Sequence, residues 1–172
     1  MKCNFLAMIL FVSTLALSGQ SKKANPVLTT VSNKDVVVSV FKDASKIEKL
    51  NDYWFEILDS KTKRLGYAMT SLDYCKNVVG YQNNTPVMII TDKNFSIVKV
   101  ALLSHWETLN YVKKLERNGF FDLWNKTKLK KAQSVKLDAY TGATKTAKAI
   151  EKNLQFLFAN GIANMPKKII ER

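Results

Sequence analysis

The sequence predicts one α+β domain with a mainly antiparallel sheet. Three observations carry this. Short apolar runs rich in β-branched and aromatic residues crowd the middle of the chain, with turn-forming residues between them. Two stretches with apolar residues at steps of three and four follow. Neither an internal repeat nor a domain linker divides the 172 residues. A chain of this length buries a core that needs no staples.

Residues 1–20 read as a secretory signal peptide: Lys2 gives a positive start, Phe5 to Leu17 is almost wholly apolar, and Ala16-Leu17-Ser18 supplies small residues for cleavage. An uncleaved N-terminal anchor is the alternative. Residues 21–34, polar and carrying Pro26, read as a flexible leader, and 35–172 as the domain. Ser32 and Asp35 form a weak capping box. In DVVVSVFKDASKIEKL the Val-rich run favours one state and the later spacing the other; a short helix through Phe41 is the reading adopted. YWFEIL (53–58) and LGYAMTS (65–71) form a hairpin, and VVGY (78–81), TPVMIITD (85–92) and FSIVKVALL (95–103) continue the strands. Thr108 opens a helix with Leu109, Val112 and Leu115 on one face and Asn118-Gly119 at its end. In the last helix Ala143, Ala147, Ile150, Leu154 and Leu157 share a face, Thr141 fits the N-cap, and Asn160-Gly161 stops it.

Cleavage would remove Cys3 and leave Cys75 alone, so the mature monomer would hold no internal disulfide. The net charge of +13 suggests an anionic ligand or surface. Nucleic acid is not expected of an exported chain without zinc, helix-turn-helix or RNA-binding signatures.

DAYTGATKTAKAI (138–150) places small and hydroxylated residues at the mouth of a helix. Helix starts carry unpaired N–H groups and partial positive charge, so a phosphate site and a plain capped start both fit. Gly142 and Ala143 would let an anion approach the backbone, while Lys145 and Lys148 would ease a nearby charge. The segment is neither a P-loop nor a dinucleotide fingerprint.

Asp138-Ala139-Tyr140-Thr141-Gly142-Ala143-Thr144 resembles the flavinylation motif Asp-x-x-Ser/Thr-Gly-Ala-Ser/Thr of the FMN-binding domain family. These extracytoplasmic electron-transfer domains include the flavin subunits of sodium-pumping quinone reductases and Rnf-type complexes. The resemblance runs over roughly residues 35–155, through LGYAMTS, Gly80-Tyr81, the following strand pair and HWET (105–108). Gln82-Asn83-Asn84 and Leu109 depart from the family's usual Gly and Pro in two loops. It implies a curved sheet with packed helices, and FMN joined through its phosphate to the Thr144 hydroxyl by an FAD:protein FMN transferase. Asp138, Thr141, Gly142, Ala143 and Thr146 are then the candidates around the phosphate. His105, Trp106, Glu107, Thr108, Tyr67 and Tyr81 are candidates for the ring, each with a plainer role open to it: core residue, cap or exposed side chain.

The implied protein is a redox carrier, with a membrane or extracytoplasmic redox partner and peripheral membrane association as an option. No catalytic grouping or metal-ligand spacing stands out. A secreted module of the same fold with noncovalent or no flavin is the alternative, and a basic protein that meets anionic envelope polymers is the third.

Overall fold

The computed structural model describes residues 26–137 and 143–166. Among them a five-stranded antiparallel sheet runs in chain order β1 to β5: Ala44–Lys49, Phe55–Asp59, Arg64–Thr70, Val87–Asp92 and Ile97–Leu102. The helices α1 (Asn33–Val40), α2 (Leu109–Arg117), α3 (Leu129–Ala132) and α4 (Thr144–Ala163) pack around it. The expected α+β class is the one observed.

Both faces of the sheet are covered, which is why VMII reads as an unbroken apolar run. Tyr67, Met69, Val87 and Ile89 join Ile150, Leu154 and Leu157 of α4 in the larger core. The residues between them, Ala68, Met88 and Ile90, join Val36 and Val37 of α1 in a smaller one. Period-two alternation thus sends successive side chains into two separate cores. At about 25 cal/mol per Å² of apolar surface removed from water, these cores are the main term holding the sheet between its helices.

The Val-rich run is the expected short helix, ending at its C-cap Phe41, because Ser32 and Asp35 form a complete capping box. The segment after it, to which the sequence assigns no state, is the strand β1, paired along β2. Three expectations need correction. VVGY is a turn: Val79 makes only an isolated bridge with Asn84, and the Gly80 N–H donates to the Asn83 carbonyl at 2.8 Å. Leu109 is 50% exposed, so Val112 and Leu115 are the buried anchors of α2, with Tyr111 packed partly against the same core.

The last correction concerns both ends of α4. Its N-cap is Ala143 rather than Thr141, which makes Thr144 the first helical residue, and the helix passes through Asn160-Gly161 to Ala163. Gly161 does not stop it because close packing uses the missing side chain. A Cβ there would lie 2.3 Å from Met69 Sδ. The Gly161 carbonyl also accepts a hydrogen bond from Trp54 Nε1 at 2.9 Å.

In the stretch read as a leader, Thr29 and His105 exchange backbone hydrogen bonds of 2.9 and 3.0 Å, and Val31 bonds to Ser104. The chain therefore joins the domain's hydrogen bonding before α1 begins. The signal-peptide residues 1–20 and the motif residues Asp138, Thr141 and Gly142 lie outside the described residues. No described helix is long and apolar enough to cross a membrane.

Candidate functional site

Three segments distant in sequence meet at the mouth of α4: the turn after Val79, the segment between β5 and α2, and the first turn of the helix itself. Tyr81, Tyr111, Ala143, Thr144, Lys145 and Thr146 line a crevice of about 220 Å³ there. The Tyr81 and Tyr111 rings meet edge to face at 5.1 Å, and the Lys145 ammonium lies 6.0 Å from the Tyr81 ring centre. Ala143 has no side-chain acceptor and cannot cap the first-turn N–H groups. The partial positive charge of a helix start, a nearby ammonium and an exposed threonine suit a phosphate ester.

The two described hydroxyls of this turn are unlike each other. Thr144 is exposed, whereas Thr146 is fully buried and donates its hydroxyl proton to the Glu107 carboxylate. Glu107, itself 2% exposed, also accepts backbone N–H groups from Tyr81 at 3.0 Å, Gln82 at 2.8 Å and Asn83 at 3.3 Å. All four partners donate, the set that an ionised carboxylate satisfies. Gly80 makes this approach possible, since a Cβ there would lie 2.7 Å from Glu107 Oε1.

The remaining candidates are placed differently. His105 is buried, and its Nδ1 accepts the Glu107 backbone N–H at 3.1 Å, which puts the proton of the neutral ring on Nε2. Burial lowers its pKa below the usual histidine value, and the Glu107 charge opposes that only in part. His105 lines a separate groove of about 490 Å³ beside α1, β5 and α2, with Lys99 and Glu116. Trp106 is 40% exposed. Thr108 occupies the N-cap of α2 without a side-chain capping bond, and its hydroxyl is 3.5 Å from Gln82 Nε2.

Tyr67 is not brought to this mouth. It stacks on Phe95 at 4.8 Å and meets Trp54, whose indole bonds to Gly161. Gly161 is about 25 Å along the helix axis from Thr144 at 1.5 Å per residue. Sequence reasoning missed Tyr111 and the amides of Gln82 and Asn83. Tyr111 follows HWET within one turn of α2, a usable signal for an aromatic beside the site. The backbone amides left none.

No group of three or more His, Cys, Asp or Glu able to hold a metal occurs among the described residues. Residues 80–159 match the model of the FMN-binding domain family. That span begins at Gly80 and takes in Glu107, the motif and most of α4. None of the curated proteins matches the chain.

Proposed function

The chain carries a domain of the FMN-binding family, and on that premise we propose that it is an exported flavoprotein with FMN joined covalently to Thr144. That it is an FMN-binding flavoprotein follows from the family; the linkage, the export and the electron-transfer role are the proposal. The observation that carries it is the contrast between the two threonines. Thr144, the last residue of the flavinylation motif, has its side chain exposed at the helix mouth, while Thr146 is buried on Glu107. A modifying enzyme needs a hydroxyl it can reach.

The Thr144 hydroxyl stays protonated at neutral pH and is a weak nucleophile. In the proposed step its oxygen attacks the FMN phosphorus of FAD. The phosphoanhydride bond breaks, AMP leaves, and the hydroxyl proton passes to a base on the FAD:protein FMN transferase, which also supplies the magnesium ion. One phosphoester bond forms as one anhydride bond is lost, and no electrons change hands. The product keeps one negative charge, which the N-terminus of α4 and Lys145 favour. The motif makes Asp138, Thr141 and Gly142 candidates for contact with the phosphate or for recognition by the transferase.

Bound flavin supplies the redox chemistry, and this chain's residues hold and orient it. Tyr81, Tyr111 and Lys145 line the crevice beside the proposed attachment point. The signal-like residues 1–20 support action outside the cytoplasm, with a membrane or extracytoplasmic redox partner.

The test is the intact mass of the protein co-produced with an FMN transferase, followed by peptide mapping. An increment of FMN less water on Thr144, with yellow colour that survives denaturation, is the expected result. An unmodified chain beside a flavinylated control domain would refute the linkage, and an increment on Thr146 would refute the assignment.

A further inference from the structure

The Glu107 carboxylate reaches two segments far away in the chain, 26 residues back to Tyr81 and 39 forward to Thr146. Both segments line the crevice, one with Tyr81 and the other with Thr144, Lys145 and Thr146. A buried carboxylate is costly unless donors surround it, and once surrounded it fixes those donors in direction as well as distance. Here three consecutive backbone amides and the Thr146 hydroxyl converge on one group. Gly80 supplies a second, independent sign of the same design, because its missing side chain is the space that the carboxylate occupies.

We propose that Glu107 is a positioning residue for flavin attachment: it ties the 80–83 turn to the first turn of α4 and so sets how Thr144 is presented to the transferase. This rests on the covalent reading above. Glu107 acts through Thr146 and the turn, and touches neither the reacting oxygen nor the phosphorus. The side chain two positions beyond the nucleophile is thereby held still, and Thr144 inherits that placement through the helical backbone that joins them.

The experiment compares Glu107→Gln, Thr146→Val, their double variant and Thr146→Ser with the wild type in two assays. Amide hydrogen exchange of the flavin-free protein reads the tie itself. Flavinylation by purified transferase, normalised to folded protein by circular dichroism, reads its consequence. Glutamine turns two donors toward groups that also donate, and valine removes the hydroxyl while keeping the shape. Both should speed exchange at residues 81–83 and 144–147. Both should slow flavinylation by about tenfold to a hundredfold, as misplacing a reacting group does. Losses through one bond do not add, so the double variant should be no slower than the slower single. Thr146→Ser keeps the donor and should keep the rate.

Unchanged rates in folded Glu107→Gln and Thr146→Val would overturn the proposal and leave Glu107 a fold-holding residue. Additive losses, or unchanged exchange, would overturn it as well. Should Glu107→Gln not fold, Thr146→Val with its serine rescue decides alone. A wild type that takes no flavin beside a modified control removes the covalent reading and this inference together, which distinguishes the two failures.

Discussion

The two ends of α4 are held by opposite kinds of contact. At the C-terminal end Gly161 sits against Met69, and Trp54 donates its indole proton to the Gly161 carbonyl while meeting Tyr67 and Phe95 edge to face. At the N-terminal end a buried carboxylate gathers four donors beside a crevice edged by two tyrosines and a lysine. Apolar packing is strong but directionless, so it fixes where a helix lies. Hydrogen bonds to a buried charge are directional, so they fix how its first turn is turned. The crevice is at the directional end.

The largest expected effect breaks the comparison at that end without disturbing the fold. Thr144→Val should abolish the FMN mass increment and the denaturation-resistant colour. The side chain is exposed at the first helical position, so stability should move by no more than about 0.5 kcal/mol in urea melts, as for ordinary surface changes. Full flavinylation of this variant would show that another hydroxyl carries the flavin.

The opposite cut is at the packed end. Gly161→Val forces a branched side chain into the space where even a Cβ would lie 2.3 Å from Met69 Sδ. It should cost about 3 kcal/mol of stability, the upper part of the usual range for overpacked cores. Protein that remains folded should still be flavinylated on Thr144, because the attachment point is at the other end of the helix. A collapse of the flavinylation rate in folded protein would mean that the two ends are coupled.

Gly80→Ala sharpens the comparison at smaller cost. Its Cβ would meet Glu107 Oε1 at 2.7 Å and Thr85 Cγ2 at 2.9 Å, and the carboxylate cannot retreat without releasing backbone donors. About 2 kcal/mol of destabilisation is expected from this crowding, accompanied by slower flavinylation per folded molecule. Loss of stability with an unchanged rate would place the turn outside the presentation of Thr144.

How much of this was legible in the sequence varies with the kind of signal. The central strands showed themselves through β-branched runs, and α1 through the Ser32–Asp35 pair, because both signals are local. β1 did not. It is an edge strand whose Ile47 is 40% exposed, and ASKIEK carries the charges that keep such an edge from pairing further, so no buried alternation marks it. Gly161 misled because a glycine that ends a helix and one that admits a neighbouring side chain look alike in sequence. Thr144 was legible through a seven-residue motif. The role of Glu107 was not, since its partners are backbone amides and a threonine brought in from 26 and 39 residues away.

The smallest expected effect concerns His105, bonded through Nδ1 to the backbone of Glu107. Burial lowers its pKa from the usual value of about 6.5, so the folded protein binds this proton less readily than the unfolded chain. Its contribution to stability is therefore complete above that usual value. It is lost as pH falls below it toward the folded value, where the unfolded state holds more protons. The Glu107 carboxylate opposes the shift, and the groove on its other side presents Lys99, Lys113, Asp35 and Glu116. Asparagine keeps an acceptor in place of Nδ1 and cannot take up the proton. Urea midpoints for wild type and His105→Asn, measured at pH 7.5 and again at about pH 5.5, should show the wild type losing more on acidification. Equal losses would mean that His105 takes up its proton as readily in the folded protein as in the unfolded chain, so that burial beside the Glu107 backbone does not shift its titration.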